Sequence, residues 1–149
     1  GTLAILLILT SVVPSILFMQ KELINTPSNE EITALKWMEE NIPANATVLT
    51  PLHLGHLVPA FTSAQNLIDS HVFFAEDGQT RFSDVRTMYA TPSETEAIRL
   101  MNHYNIDYVI SAESKRAEAR PSYLGDNPLC FNRIYHKPPY VYQARCEVS

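Results

Sequence analysis

The sequence predicts an α/β domain, a mixed sheet with helices on its faces and a C-terminal β-hairpin, preceded by one transmembrane helix. Helical and β-prone segments alternate from Ser28 to Ser111, two β-prone runs close the chain, and an uncharged apolar segment opens it. Strands joined through helices are expected to be parallel, whereas a hairpin adds antiparallel strands. We expect the transmembrane helix to cover residues 1–22 and an extracytoplasmic α/β domain to cover residues 23–149.

The apolar segment is Thr2–Met19, eighteen residues without a charge. As a helix it would rise about 27 Å, close to the ~30 Å thickness of the hydrocarbon core of a bilayer. Pro14 is tolerated there because neighbouring helices and Ser or Thr side chains satisfy the freed backbone groups. A signal peptide and a buried helix of a soluble domain are the alternatives. We expect this segment to be the last span of a larger membrane protein.

The first helix of the domain begins at a capping box. The Ser28 hydroxyl is placed to accept from the Glu31 amide while the Glu31 carboxylate reaches back, and apolar residues recur at helical spacing up to Ile42. Pro43 ends this helix. The next predicted elements are strand Ala46–Thr50, a short helix over His53–Ala60, strand Gln65–Ser70, a loop over Phe73–Gln79 and helix Arg81–Tyr89.

A second capping box, Ser93–Glu96, opens a helix that continues to Tyr104. Asn105 suits a left-handed residue after the helix, and the strand Ile106–Ser111 follows at once. The segment from Ser111 to Asn127 is polar and has no sustained apolar run, so we predict a surface loop or a partly helical excursion there.

The runs LCFNRIY and YVYQARC flank HKPP and predict a β-hairpin. A turn centred on Pro138 places Cys130 directly opposite Cys146, and Ile134 opposite Tyr142. Opposed strand residues have Cβ atoms about 4.5–5.5 Å apart, which is close to disulfide geometry. We therefore predict a Cys130–Cys146 disulfide and a domain outside the cytoplasm, with two free core cysteines as the alternative.

Composition narrows the function classes. The net charge is −5 and the basic residues are scattered, so nucleic acid is not an expected partner. The chain has only four glycines, and neither GxGxxG nor GxxxxGK occurs, which excludes nucleotide sites built on those loops.

Three histidines are the candidate substrate-binding residues. His53 and His56 share a face if they are helical, and His71 directly follows the second predicted strand. With Glu76 and Asp77 they are expected at the carboxyl ends of the first two strands, where open α/β sheets bind ligands. The predicted role is a polar surface that contacts the membrane domain or a lipid-linked substrate. A metal site and ordinary surface histidines are the alternatives, and no metal ligand is assigned.

Two further features concern the surface. Asn45-Ala46-Thr47 matches an N-glycosylation sequon and falls in a predicted turn, which permits modification of Asn45. Phe73 and Phe74 are expected in the core, with an exposed docking patch as the alternative.

The chain contains, in order, ALKWMEENIPANATVLTP, LHLGHLVPAFT, NLIDS, SETEAIRLMNHYNIDYVIS and the hairpin. Over about Glu30–Arg145 this order resembles the soluble C-terminal domain of polytopic GT-C-type membrane glycosyltransferases, which include protein O-mannosyltransferase-like and oligosaccharyltransferase-like members. The resemblance implies a parent enzyme that uses polyprenyl-phosphate-linked sugars outside the cytoplasm, with a divalent metal as a further expectation. In the branches of that family other than the oligosaccharyltransferases, the catalytic carboxylates lie in loops between early membrane spans, and none of those loops is in this chain.

One family motif is missing. In oligosaccharyltransferases the segment after the first strand carries WWDYG, which reads the acceptor peptide. That place here holds Pro51–His56, where Gly55 is the only match. The resemblance therefore does not carry recognition of a peptide sequon to this chain.

The expected function is that of a non-catalytic extracytoplasmic domain of a cell-membrane glycosyltransferase, which shapes the acceptor side and holds no cofactor itself. Its expected partners are the membrane, the upstream transmembrane domain of the same chain, and a lipid-linked sugar or glycan acceptor. A membrane-tethered ligand-binding or sensor domain without enzymatic activity is the alternative. A soluble intracellular α/β enzyme requires Thr2–Met19 to be buried and both thiols to be free.

Overall fold

The computed structural model of the chain describes residues 27–68, 74, 76–112 and 121–148. The predicted transmembrane helix, residues 1–22, lies outside these ranges. Among the residues described, no helix combines the length and the apolar character needed to cross a bilayer.

Helices and strands alternate along the described chain and then give way to a hairpin. The helices are α1 (Asn29–Asn41), a 3₁₀ turn (Leu52–Leu54), α2 (Val58–Phe61), α3 (Gly78–Ala90), α4 (Glu94–His103) and α5 (Tyr123–Asp126). The strands are β1 (Thr47–Leu49), β2 (Gln65–Asn66), β3 (Tyr108–Ser111), β4 (Phe131–Tyr135) and β5 (Tyr140–Ala144). The predicted order of elements is confirmed.

The sheet is mixed, in the order β2-β1-β3-β5-β4. Strands β2 and β3 flank β1 in parallel, while β5 runs antiparallel to both β3 and β4. The four residues of β3 are all buried because the strand is covered on both faces and paired on both sides. The mixed sheet with a C-terminal hairpin is therefore confirmed.

Helices cover both faces of the sheet. Buried residues of α1, the 3₁₀ turn and α2 pack with Val48 and Ile110 on one face, whereas those of α3, α4 and α5 pack with Leu49 and Val109 on the other. Successive strand residues point to opposite faces, which is why neighbours in β1 and β3 enter different clusters.

Local signals set the helix ends. The capping box of α1 is complete, since Ser28 N–H donates to Glu31 Oε2 at 2.8 Å and Glu31 N–H donates to Ser28 Oγ at 3.2 Å. At α4 only half of the second box forms, because the Glu96 carboxylate accepts instead from Thr91 Oγ1 at 2.6 Å. Asn105 has φ 51°, the left-handed conformation predicted for it.

The segment predicted as a polar loop before the hairpin contains buried structure. Tyr123 and Leu124 in α5 are only 2% and 1% exposed. The Tyr123 ring packs 5.1 Å from Phe131 and its hydroxyl donates to Met88 O, which ties α5 to α3 and to β4. A four-residue helix with two buried side chains is too short to show a helical period in the sequence.

The hairpin carries the predicted disulfide but not the predicted register. Cys130 and Cys146 are bonded, with their Cα atoms 4.8 Å apart, and Arg145 N–H donates to Cys130 O at 2.9 Å. Tyr142 faces Arg133 rather than Ile134, so that pairing was wrong. The register shifts between Arg133 and Tyr135, where a bulge takes up one residue of β4.

The double substitution Cys130→Ser with Cys146→Ser is expected to lower the free energy of unfolding by about 3 kcal/mol, because the bond closes a loop of roughly fifteen residues in the unfolded chain. Urea unfolding of the oxidised protein and the variant measures the difference. Reduced and alkylated wild-type protein is the matched control and should unfold with the variant. Two alkylatable thiols in protein kept under oxidising conditions would contradict the bond.

Candidate functional site

The parallel strands give the sheet two different ends. The carboxyl edge is the end where β1, β2 and β3 finish, at Leu49, Asn66 and Ser111. The amino edge is the opposite end, where these strands begin and where β5 finishes at Ala144. Ligands of open α/β sheets bind outside the carboxyl ends, at the point where successive connections leave toward opposite faces. Here that point lies between β1 and β3, because α2 follows β1 on one face and α3 follows β2 on the other.

A tyrosine holds β1 and β3 together at this point. Tyr89, on the last turn of α3, is 3% exposed. Its hydroxyl donates to Ile110 O at 2.7 Å and lies 3.3 Å from Leu49 O. Both carbonyls belong to the ends of their strands, so the phenol hydroxyl makes a polar contact between β1 and β3 where the strands finish.

Polar side chains follow β1 and β2 at the same edge. Thr50, fully buried, donates from Oγ1 to Asn66 Oδ1 at 3.0 Å, and Asn66 Nδ2 donates to Gly55 O at 2.8 Å and to Ile68 O. This network fixes the 3₁₀ turn against β2. Ser111 at the end of β3 is 1% exposed, and its hydroxyl is the one buried side-chain oxygen without a partner among the residues described.

The start of α1 also lies at the carboxyl edge. Glu31, which accepts from the Ser28 amide, places its second oxygen 3.3 Å from His53 Nε2 in the 3₁₀ turn. One carboxylate therefore joins the first turn of α1 to the segment that follows β1. Residue 27, the first residue that the structure describes, directly precedes Ser28 of the capping box.

The turn of the hairpin completes this edge. Tyr135 packs its ring 5.0 Å from the ring of Trp37 in α1. A shallow groove of about 140 Å³ lies between the first turn of α1 and the hairpin turn, with Glu30, Tyr135 and Lys137 among its lining residues. A larger cavity of about 390 Å³ lies at the amino edge, between the end of α4 and the C-terminal segment, and its lining includes Asp107 and Arg145.

The predicted histidines are only partly brought together. His53 is 39% exposed at its side chain and contacts Glu31, and His56 is exposed in the turn that follows. His71 lies outside the described residues. Within the described ranges, no group of three His, Cys, Asp or Glu side chains is arranged to hold a metal ion.

The prediction that Asp77 joins these histidines was wrong. Asp77 Oδ2 accepts from Arg81 Nε at 2.7 Å, and this hydrogen bond lowers the pKa of the carboxyl group. Asp77 also acts electrostatically on Tyr104, at the end of α4, whose pKa is raised to about 12 chiefly by burial and by its 2.6 Å hydrogen bond to Asp84. Tyr89, near the other end of α3, contacts the carboxyl ends of β1 and β3. Asp77, at the start of α3, therefore lies toward the amino edge.

Phe74 is 88% exposed, so the expectation that it packs in the core was wrong, and Phe73 lies outside the described residues.

Sequence reasoning also missed Tyr89, Thr50 and Asn66. A polar residue at the end of a short β-prone run is the one signal that indicates Thr50. Nothing in the period of α3 distinguishes Tyr89 from an ordinary core residue.

The carboxyl edge therefore offers hydrogen-bonding groups and exposed apolar surface. In the described part of the chain, no histidine is hydrogen-bonded to a serine, threonine or cysteine. Leu52, which is 39% exposed, adjoins His53 on the outer side of the 3₁₀ turn. These groups are suited to contact with another surface.

Comparison with solved structures finds the same fold in the C-terminal globular domain of an oligosaccharyltransferase from Archaeoglobus fulgidus. The TM-score is 0.61, the sequence identity is 14%, and the alignment covers 80% of this chain and 99% of that domain. No protein-family model matches the sequence, and no curated protein matches it. The likeness establishes the fold.

Tyr89→Phe is expected to lower the free energy of unfolding by about 1–2 kcal/mol, because it leaves a buried carbonyl without its donor. Chemical denaturation measures the change. Tyr135→Phe is the matched control, since the Tyr135 ring also packs between elements but its hydroxyl makes no hydrogen bond in the described part. Equal effects of the two substitutions would refute the bridging role of Tyr89.

Glu31→Ala is expected to cost about 1 kcal/mol of stability, because the start of α1 loses its reciprocal cap. Glu30→Ala is the control, since Glu30 lies exposed in the same helical turn. Hydrogen exchange of the amides in Leu52–Leu54 should rise in the first variant alone. Unchanged exchange there would show that the contact with His53 does not hold the 3₁₀ turn.

Proposed function

We propose that this chain is the extracytoplasmic C-terminal domain of a cell-membrane glycosyltransferase that uses lipid-linked sugar donors. The domain itself is not catalytic. Its carboxyl edge faces the membrane-embedded part of the same protein and shapes the side on which the acceptor arrives. The observation that carries the proposal is the fold, shared with nearly the whole C-terminal globular domain of an oligosaccharyltransferase.

The direction in which the chain arrives supports this orientation. The described domain begins at residue 27, and α1 begins two residues later at the carboxyl edge, beside His53. If Thr2–Met19 crosses the bilayer, the connection is Gln20–Thr26, seven residues. Seven extended residues reach at most about 25 Å, so the carboxyl edge stays close to the membrane surface.

The surface chemistry of this edge fits contact with another part of the protein. Leu52 and His56 are exposed there, and His53 shows two-fifths of its side chain. The catalytic carboxylates and a divalent metal are assigned to the upstream membrane domain, together with the polyprenyl-phosphate sugar. The Cys130–Cys146 disulfide is consistent with an oxidising compartment, in which such donors are used.

The test is sugar transfer by the full-length parent protein in membranes, supplied with a radiolabelled polyprenyl-phosphate sugar. Leu52→Asp is expected to reduce transfer by about tenfold or more, because a charge replaces an apolar contact between the domain and the spans. Leu129→Asp is the matched control: Leu129 is 83% exposed at the amino edge, and transfer should stay within about twofold of the wild type.

Equal transfer by both variants would refute the proposed orientation of the carboxyl edge. A parent protein with a single span and no transfer activity would refute the glycosyltransferase assignment. That second result would favour a membrane-tethered ligand-binding or sensor domain.

A further inference from the structure

Asn45 lies in the one sequence of the chain that matches N-x-Ser/Thr with x other than Pro, Asn45-Ala46-Thr47. We propose that Asn45 is a site of N-linked glycosylation, modified by a separate oligosaccharyltransferase that uses a lipid-linked oligosaccharide. The inference rests on the extracytoplasmic placement in the proposed function, and not on the activity of the parent protein.

The fold presents Asn45 to solvent. It lies between α1 and β1, in a turn closed by the hydrogen bond from Ala46 N–H to Pro43 O at 3.0 Å. Pro43, Ala44 and Asn45 are exposed, whereas Ala46 is 4% exposed and begins the path into the core. A glycan on Asn45 therefore projects from the turn without displacing a packed side chain.

The side-chain amide of Asn45 makes no contact that holds the domain together. Its side chain makes no hydrogen bond in the described part of the chain, whereas Asn41, in the preceding helix, donates from Nδ2 to Trp37 O at 2.7 Å. Asn102 likewise donates to the C-terminal segment, and Asn127 donates to Glu94. Modification of Asn45 thus breaks no contact that stabilises the domain.

The turn that contains Asn45 lies at the end of the sheet opposite the proposed membrane side. The turn precedes β1 and so lies at the amino edge, at the opposite end of the sheet from residue 27. The Cys130–Cys146 bond lies at this same edge, because Phe131 and Ala144 pair there. A glycan here points away from the proposed membrane side, and N-glycosylation takes place in the compartments that permit disulfides.

The contacts of Thr47 indicate whether Asn45 is glycosylated before or after the domain folds. Its N–H donates to Asp107 Oδ2 at 2.8 Å, and its carbonyl accepts from Asp107 N–H at 2.9 Å. In the folded domain the third residue of the sequon is therefore held against the start of β3. We expect the transferase to act before β1 pairs with β3.

The chemical step balances as follows. The Asn45 Nδ2 atom forms a bond to the anomeric carbon of the donor sugar, while the bond from that carbon to the lipid phosphate oxygen breaks. The phosphate leaves with the electron pair, and one proton of the amide passes to a base of the transferase.

The test is mass spectrometry of peptides from the parent protein isolated from the membranes of its own source. We expect a glycan on the peptide that contains Asn45, released by a peptide N-glycosidase with conversion of that asparagine to aspartate. Thr47→Ser should keep the glycan. Thr47→Val should lose it, although valine keeps the branched shape suited to β1. Asn45→Gln should also lose it.

The disulfide serves as the folding control for every variant, because a folded variant should keep Cys130 and Cys146 bonded. An unmodified Asn45 in protein with the disulfide closed would overturn the proposal. Sugar-transfer activity is measured separately in the same membranes. It shows whether the proposed function fails together with the glycosylation proposal. Free thiols together with a bare Asn45 would refute the extracytoplasmic placement on which the inference depends.

Discussion

β3 is paired on both of its sides, and this pairing joins the two parts of the sheet. All four residues of Tyr108–Ser111 are buried, so their backbone groups need partners within the protein. β1 provides them on one side and β5 on the other. The α/β segment and the C-terminal hairpin, which are far apart in sequence, are therefore halves of one sheet. The Tyr89 hydroxyl donates to Ile110 O and lies near Leu49 O where β1 and β3 finish.

The direction of β3 also gives the domain two ends with different chemistry. Parallel strands bring the end of β1, the end of β3 and the start of α1 to the carboxyl edge, where Glu31 joins two of these segments through His53. The amino edge carries the disulfide, the larger cavity and the exposed turn at Asn45. The first edge carries the exposed Leu52 and His56 and is suited to contact with another surface. The amino edge is suited to exposure to solvent.

Local features were predicted well because they depend on neighbours in sequence. The capping box at Ser28, the left-handed Asn105 and the helix-to-strand unit that ends at Ser111 each follow from residues within one or two turns. The disulfide was predicted from the symmetry of a hairpin, although the bulge in β4 changed the pairs around it. The candidate site was predicted less well. His53 and His56 lie near the carboxyl edge as expected, but Asp77 does not.

Local sequence features were enough to predict the order of the elements, the helix caps, the mixed character of the sheet and the pair of cysteines, because periodicity, capping and turn position depend on residues close together in the chain. Long-range packing sets the place of Asp77 toward the amino edge, the burial of Tyr123 and Leu124, and the side chains that meet between β1 and β3. These outcomes depend on how α3 and α5 pack across the sheet. Such packing is set by the total burial of many distant side chains, and no short stretch of sequence records it.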